Sequence, residues 1–357
     1  MGQRVRWQEL LPFVGLVALG ATWLVPMSGP FAVLCALVLL GAVFSAVHHA
    51  EVVAHRVGEP FGTLVLALAV TGIEAGLLVS LIFAAGEGRE VLARDTLYAT
   101  VMIIGTGVIG LCVVFGAARH REQSFRIEGA GPAFSALTAL AVLVLIMPGF
   151  TVTAPGPAYT TSQFIFVAIC SFSLWCVFVF FQTIRHRDYF LPQGDGAAPE
   201  HAPLPTVAMA LRSFVLLLVG LVAVIGLAKA ISPTIEAAVH AFGAPRAAIG
   251  IAVALIVLLP ESIAAIRAAL ANRLQTSLNL ALGSALATIG LTVPIVVGVC
   301  IWFDLPLVLG LESKDIVLLA LTLLVGTIGV VAGRTNLMYG AVQIVIFAAF
   351  LFLALVP

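Results

Sequence analysis

Charged residues are scarce in this chain, and long polar stretches are almost absent. Asp, Glu, Lys and Arg make up 10% of the 357 residues, whereas soluble domains carry about 25%. Hydrophobic residues account for 62%, and the mean hydropathy is +1.18. This composition excludes an ordinary soluble globular protein.

The cysteines indicate neither a disulfide framework nor a metal site. All five lie in apolar segments, and none forms a C-x-x-C pair. We therefore expect small core residues at Cys35, Cys112, Cys170, Cys176 and Cys300. Because the formal net charge is zero, charge balance indicates no particular partner, and we expect the chain to bind no nucleic acid.

Apolar runs of about 20 residues recur along the whole sequence, and each can cross a hydrocarbon core of about 30 Å. Such runs are typical of transmembrane helices, whereas strands of a membrane barrel are short and alternate. Arg4 and Arg6 before the first run would also suit a signal peptide, but further spans follow at once and we expect an uncleaved helix. The eleven predicted spans lie near 9–27, 29–50, 60–86, 95–117, 130–148, 160–184, 206–229, 245–269, 275–301, 314–333 and 335–356.

The positions of Arg and Lys predict the orientation of these spans. With a cytoplasmic N-terminus, twelve of the 17 basic residues fall on the cytoplasmic side: Arg4, Arg6, Arg56, Arg119, Arg121, Arg126, Arg185, Arg187, Arg212, Arg267, Arg273 and Arg334. The other five are Arg89, Arg94, Lys229, Arg246 and Lys314. We therefore expect the N-terminus inside and the C-terminus outside.

One motif occurs twice. Residues 51–60 read EVVAHRVGEP and residues 236–245 read EAAVHAFGAP, so both match E-x-x-x-H-x-x-G-x-P, 185 residues apart. Each motif leads directly into an apolar span with one glutamate inside it, Glu74 or Glu261. One span further on, the stretch GTGVIGL echoes GSALATIGL. Three matches in the same order indicate an internal duplication.

Each repeat holds five spans, an odd number, so the two copies cross the membrane in opposite senses. We predict an all-α polytopic membrane protein with about eleven transmembrane helices. The expected divisions are an N-terminal helix at 1–28, a first five-helix repeat at 29–184, a cytoplasmic linker at 185–205 and a second, inverted repeat at 206–357. Such repeats are typical of secondary transporters, whose site lies near the midplane between the halves.

The two glutamates inside apolar spans need a physical reason. A charge at the centre of an inserted helix costs about 2.5 to 3.5 kcal/mol on insertion scales. One such residue could be a protonated glutamate that packs helices together, but matched positions of Glu74 and Glu261 in two repeats favour a shared ion site. Desolvation raises the pKa of a carboxyl group and a bound cation lowers it, so protons and a cation compete. Competition at one site that opens alternately to each side is sufficient for antiport.

Oxygen atoms close to both glutamates predict the ligands of a hard cation. Pro260 lacks an N–H and frees the carbonyl of Ile256, while Thr71 and Gly72 form a weak helix segment before Glu74. We therefore expect two broken helices whose oxygens suit Ca²⁺ or Na⁺. Small residues also serve close helix packing, which is the alternative role. Supporting ligands or pathway residues are predicted at Thr71, Gly72, Ile256, Ser262, Thr106, Asn279, Ser284 and Thr288.

Two pairs in the repeated motif have i, i+4 spacing, Glu51 with His55 and Glu236 with His240. Each pair is predicted to line the mouth of the transport pathway on its own side. With His48, the first pair could also form a metal-binding or pH-sensing cluster, since histidine titrates near neutrality. Ordinary polar residues at the membrane surface are the alternative interpretation.

These residues resemble the cation/Ca²⁺ exchanger superfamily, specifically the Ca²⁺/H⁺ antiporters and their bacterial ChaA-type branch. The matching stretches are HHAEVVAHRVGEPFGTLVLALAV, followed by Glu74, and PESIAAIRAALANRLQTSLNLALGSALATIGLTVP, which contains Glu261. The resemblance covers essentially the whole chain after the first span. It implies one extra helix before two inverted five-helix repeats, with both glutamates as cation ligands. It also implies proton-driven export of Ca²⁺, and in the ChaA branch of Na⁺ and sometimes K⁺, across a bacterial inner membrane.

Departures from the superfamily pattern bear on the transported cation. Its G-N-x-x-E signature would place Asn where this chain has Thr71 and Leu258, and Ser262 stands where eukaryotic members have His. Fewer ligands leave open an alternative, a Na⁺ or K⁺/proton antiporter with little Ca²⁺ transport. No cofactor is expected besides the transported cations and protons.

Two other functional classes compete with antiport. A channel or a different transporter could use the same carboxylates, but inverted repeats favour alternating access. An intramembrane enzyme is disfavoured because the sequence has no H-E-x-x-H, no G-x-S-x-G and no pair of membrane-centred aspartates. We therefore predict a transporter embedded in the lipid bilayer, not an enzyme.

Overall fold

Helices account for nearly all of the regular structure. The computed structural model describes residues 7–58, 61–86, 88–191, 204–241, 243, 245 and 247–356. In this part of the chain, strands β1 (Glu122–Ser124) and β2 (Arg334–Asn336) pair antiparallel. The long helices are α1 (Trp7–Ala21), α2 (Gly29–Val57), α3 (Phe61–Ala84), α4 (Arg89–His120), α5 (Ile127–Phe150), α6 (Thr161–Arg185), α7 (Val207–Ala241), α8 (Ala247–Leu270), α9 (Leu274–Trp302), α10 (Ser313–Ala332) and α11 (Leu337–Leu355).

Ten of these helices are long and apolar enough to span a membrane, as far as the described residues go. The exception is α1, whose 15 residues extend about 22 Å, less than the roughly 30 Å of a hydrocarbon core. The predicted first span, 9–27, is therefore too long. The chain turns after α1, where the Thr22 hydroxyl donates to the Leu19 carbonyl at 2.7 Å. The other predicted spans overlap their helices, and α2, α4 and α7 extend furthest beyond them.

The helices divide into two compact units, and each unit draws on both halves of the sequence. Unit 1 comprises Met1–Arg89 and His201–Ile249 and contains α1, α2, α3 and α7. Within it α2 packs along α7, and α1 and α3 both pack against that pair. Small residues permit this contact, since a Cβ built on Gly220 of α7 would lie 3.5 Å from the Cβ of Ala46.

Unit 2 comprises Glu90–Glu200 and Gly250–Pro357 and contains the remaining helices, with α8 from Gly250 onward. After α1, the helices form two sets of five, α2–α6 and α7–α11. The third helix of each set packs against the fifth helix of the other, so α4 packs against α11 and α9 packs against α6. Glycines lie at both contacts. A Cβ built on Gly110 would lie 3.1 Å from the Cβ of Gln343, and one built on Gly290 would lie 2.5 Å from the Cβ of Trp175.

The connections in unit 2 repeat this reciprocal pattern at the two ends of α5. Before α5, β1 in the α4–α5 connection pairs with β2 in the α10–α11 connection. After α5, Gly310 in the α9–α10 connection donates its N–H to the carbonyl of Pro157 at 3.0 Å. Equivalent helices of the two sets therefore pack against equivalent partners. The fold is an N-terminal helix followed by two five-helix repeats.

Candidate functional site

Glu74 lies near the middle of α3 in unit 1 and is only 4% exposed. Thr71, one turn earlier and on the same face, is also buried. Contacts with α7 fix how α3 is rotated: the Ser80 hydroxyl donates to the Ile225 carbonyl at 3.2 Å, and a Cβ built on Gly76 would lie 2.6 Å from Ile225 Cδ1. A carboxylate held at this depth favours occupancy by a proton or a cation, because burying an unneutralised charge is costly.

Glu261 lies in the second half of α8, directly after Pro260, and its side chain is half-buried. The neighbouring Ser262 hydroxyl donates to the carbonyl of Leu258 at 2.6 Å, so it is bonded to its own helix. Leu258 itself is 2% exposed and lies one turn before the glutamate, on the same face. Leu258 therefore brings no side-chain oxygen to the face of Glu261, while the Ser262 oxygen keeps its lone pairs.

The prediction that both glutamates lie in broken helices is wrong. Helix α3 runs through Thr71 and Gly72 without interruption, and α8 runs through Pro260 and past Ile256 in the same way. A glycine weakens a helix by only about 1 kcal/mol relative to alanine. Breaking the helix would leave several backbone groups unbonded in hydrocarbon, at several kcal/mol each, so the continuous helix is favoured.

Irregular turns are found one helix further along, in α4 and α9. Such π-helical turns also occur in α5 and α6, at Val142–Ile146 and Phe181–Arg185. Those in the matching third helices span Ile103–Val108 in α4 and Thr288–Thr292 in α9. The second turn comes just before Pro294, whose ring would otherwise crowd the Gly290 carbonyl four residues earlier. Turns of this kind are frequent at functional sites. The sequence signals for them were the GTG stretch and Pro294, which periodicity alone does not distinguish from a regular helix.

Two predicted pathway residues lie within these π-helical turns. Thr106 is buried, and its hydroxyl donates to the Met102 carbonyl at 2.5 Å. Thr288 begins the turn in α9 and is buried as well. The two threonines thus occupy matching helices of the two repeats, both in unit 2.

Asn279 and Ser284 lie earlier in α9. The Asn279 amide donates to the Phe190 carbonyl at 2.6 Å, and its oxygen accepts from Gln275 Nε2 at 2.8 Å. Gln275 in turn accepts from the backbone N–H of Arg126 at 2.7 Å. These bonds connect three segments of unit 2, so Asn279 has a structural role here. Ser284 is half-buried, between Asn279 and the π-helical turn.

The predicted mouth residues lie on the last turns of α2 and α7. Glu51 and His55 are exposed, and His48 is half-buried. Glu236 is half-buried and accepts a hydrogen bond from the Ser232 hydroxyl at 3.3 Å. Of His240 the structure describes only the backbone, and residues 192–203 of the predicted linker lie outside the described residues.

Metal binding at the first mouth pair gains no support from the geometry. Among the residues that the structure describes, no group of three or more His, Cys, Asp or Glu side chains is arranged to hold a metal ion. The buried histidine of this region is His49, which the sequence interpretation passed over in favour of His48. The sequence signal for the burial of His49 was its position, three residues after Ala46 on the apolar stripe of α2.

Comparison with known proteins identifies the family of the chain. A family model described as "Sodium/calcium exchanger protein" matches residues 13–184 and 212–356. The chain belongs to the sodium/calcium exchanger protein family.

Three curated relatives of this exchanger match nearly end to end. A putative ionic transporter, y4hA, of Sinorhizobium fredii is 44% identical over 98% of this chain and 96% of its own. The sodium-potassium/proton antiporter ChaA of Escherichia coli is 34% identical over 96% of this chain and 94% of its own. The Ca²⁺/H⁺ antiporter ChaA of Bacillus subtilis is 24% identical over 87% and 88%.

Solved structures of exchangers share the fold. Native YfkE superposes with a TM-score of 0.76 at 17% identity and covers 98% of this chain and 99% of that one. The H⁺/Ca²⁺ exchanger CAX gives a TM-score of 0.70 at 16% identity, covering 97% and 86%. These likenesses confirm the exchanger fold that the sequence predicted. Because Glu74 lies in unit 1 and Glu261 in unit 2, their convergence on one ion stays a prediction.

Proposed function

We propose that this exchanger is a secondary active antiporter that exports a cytoplasmic cation in return for external protons by alternating access, with Glu74 and Glu261 sharing one midplane site. The observation that carries the proposal is the burial of Glu74, 4% exposed, within the 24 residues of apolar α3. The names of two relatives, one a sodium-potassium/proton antiporter and one a Ca²⁺/H⁺ antiporter, support this class of activity.

The charge on the pair explains why exchange would be obligatory. Two ionised carboxylates carry two negative charges, which are costly to move through a low-dielectric interior. Two protons neutralise the pair, one Ca²⁺ neutralises it, and one Na⁺ or K⁺ neutralises it when one carboxyl keeps its proton. Only neutral, occupied forms then change their exposure. A Ca²⁺ ion would exchange for two protons, and a monovalent cation for one.

Ca²⁺ is the first candidate for the transported cation, since the paired carboxylates match its charge and its preference for oxygen. A second candidate, Na⁺ or K⁺, is favoured by a specific observation. The side chain of Leu258 brings no oxygen to the face of Glu261. Ca²⁺ takes 6–8 oxygen ligands. A site with fewer side-chain oxygens therefore suits a monovalent cation better.

We assign supporting roles to residues on four helices and to the motif pairs. Thr71 and Gly72 of α3, Ile256 of α8 and the threonines of the π-helical turns would complete the oxygen shell or line the pathway. The Glu51/His55 and Glu236/His240 pairs would line its two mouths. The repeats would comprise 29–184 and 206–357, joined by a cytoplasmic linker. The protein would lie in the inner membrane of a bacterial cell, with its N-terminus on the cytoplasmic side.

The test is cation-induced collapse of a pH gradient in proteoliposomes, comparing Ca²⁺, Na⁺ and K⁺. The unmodified protein should respond to at least one cation, and Glu74→Gln and Glu261→Gln should respond to none. Glu128→Gln is the matched control, because Glu128 is exposed on α5 and should leave the response unchanged. Full activity of either mid-helix variant would contradict the shared site.

A further inference from the structure

Helix α1 is closely integrated into unit 1. It packs against both α2 and α7, which begin the two repeats. A Cβ built on Gly15 of α1 would lie 2.8 Å from the Cβ of Ala223 in α7 and 3.7 Å from the Cβ of Ala42 in α2. The absence of a side chain at Gly15 therefore lets α1 approach both helices at one level.

A single buried imidazole on α2 bonds to both of the other helices, α1 and α7. His49 of α2 is 3% exposed, and its Nε2 lies 3.2 Å from the carbonyl oxygen of Gln8 in α1. Its Nδ1 lies 3.3 Å from the hydroxyl oxygen of Ser213 in α7. The Ser45 hydroxyl, one turn earlier on α2, donates to the same Gln8 carbonyl at 2.5 Å. We call these four residues the histidine clasp.

The partners of the imidazole determine where its hydrogen lies in the neutral form. The Gln8 carbonyl only accepts, so Nε2 carries the hydrogen and donates, while Nδ1 accepts from the Ser213 hydroxyl. An ion pair beside the clasp joins Arg212 of α7 to Glu9 of α1 at 2.5 Å. The ring of His48 lies 5.5 Å away between centroids. Both ring nitrogens of the buried imidazole are therefore used for contacts between helices.

We propose that His49 is a positioning residue, and that the histidine clasp holds α1, α2 and α7 in one register through the transport cycle. The clasp serves turnover and not cation binding, because it joins α1 to the two helices that carry the mouth motifs, α2 and α7, and has no residue on the helices that carry Glu74 and Glu261. A slip of α2 along α7 would displace both motifs together. This inference rests on the proposed antiport, but not on which carboxylates bind the cation.

Substitution of the imidazole separates turnover from binding. We expect His49→Ala to lower the maximal rate of cation/proton exchange about ten-fold, since the buried Ser213 hydroxyl loses its partner and the Gln8 carbonyl keeps only the bond from Ser45. The half-saturating cation concentration should change by less than about two-fold, a difference that lies within the effect of one weak hydrogen bond. His49→Gln keeps one donor and one acceptor and should recover most of the rate. A His49→Gln protein as slow as His49→Ala would count against the hydrogen bonds as the cause.

A disulfide tests the same register without removing the imidazole. Ala46→Cys with Gly220→Cys places two sulfur-bearing residues on α2 and α7, and the 3.5 Å between their Cβ positions suits a disulfide. The pair is made in a background whose five native cysteines are replaced. When His49 is present, oxidation should leave the exchange rate as it was before the disulfide formed. In the His49→Ala background, oxidation should raise the rate toward that level, and reductant should reverse the gain.

The outcomes of these experiments are distinct. Oxidation that stops exchange in the protein with His49 would show that α2 must slide along α7, and would overturn the proposal. So would a His49→Ala protein that exchanges at the unmodified rate, or a slow one that the disulfide does not rescue. If His49→Ala fails to reach the membrane, the oxidised pair with His49 present still decides. An unmodified protein without exchange would overturn the antiport itself instead.

Discussion

At the scale of single residues, polar side chains in this chain differ in whether their bonds stay within one helix. The hydroxyls of Thr106 and Ser262 donate to carbonyls four residues earlier in the same helix. His49, by contrast, joins three helices. Sequence alone could single out Glu74, because a charge within an apolar run is rare. It could not choose between neighbouring histidines, since only packing decides which of them faces the interior.

The most informative single substitution concerns the oxygen that α8 lacks beside Glu261. We expect Leu258→Asn to lower the half-saturating Ca²⁺ concentration about ten-fold, equivalent to about 1.4 kcal/mol, because an added carbonyl oxygen suits a hard cation. The effect on Na⁺ should be smaller, since Na⁺ needs fewer ligands. Transport by proteoliposomes at graded cation concentrations measures both.

Leu258→Ala is the control for this change, because it removes the same side chain and adds no oxygen. Equal effects on the two cations, or an equal gain from alanine, would rule out the ligand interpretation of residue 258.

At the scale of helices, the sequence predicted where most of them lie, because apolar runs of membrane length have few alternatives. It did not predict the π-helical turns in α4 and α9, which add a residue to one turn without changing composition. It placed a break at Pro260, where α8 is continuous, whereas the irregular turn of α9 comes just before Pro294. The backbone conformation around a proline depends on the neighbours that pack there.

The contact between α9 and α6 depends on a missing side chain. A Cβ on Gly290 would lie 2.5 Å from the Cβ of Trp175, so Gly290→Ala should destabilise the protein by about 1–3 kcal/mol through overpacking. Gly298→Ala is the matched control in the same helix, since nothing lies within 4 Å of its Cβ position. Alanine there should be neutral or stabilising by up to about 1 kcal/mol.

Thermal unfolding of the detergent-solubilised protein measures both glycine variants. A melting temperature that falls equally for Gly290→Ala and Gly298→Ala would contradict the close approach of α9 and α6.

At the scale of the whole molecule, the reciprocal packing in unit 2 agrees with the duplication inferred from the repeated motif. Five-helix repeats could be recognised from sequence because the odd number of spans and the motif spacing are both countable. The two compact units could not, since each takes helices from both repeats. For the same reason periodicity carries no information on how Glu74 in one unit relates to Glu261 in the other.

The orientation in the membrane is a prediction at this scale. With the eleven predicted spans, twelve of the 17 basic residues would lie on the side of the N-terminus, so we expect the C-terminus to lie outside the cytoplasm. Alkaline phosphatase fused after Pro357 should be active, and a green fluorescent protein at the same place should be dark. The reverse pattern would show that the C-terminus lies in the cytoplasm and would contradict the predicted orientation.

Proton release on cation binding tests the central claim, that protons and a cation compete for the Glu74 and Glu261 carboxyl groups. In weakly buffered solution near the pKa of the pair, adding Ca²⁺ to the purified protein should release protons, and its half-saturating concentration should rise steeply as pH falls. The account predicts this release for the unmodified protein and for Glu128→Gln, and its loss in Glu74→Gln and in Glu261→Gln. Cation binding that is independent of pH, or release that persists in both mid-helix variants, would contradict it.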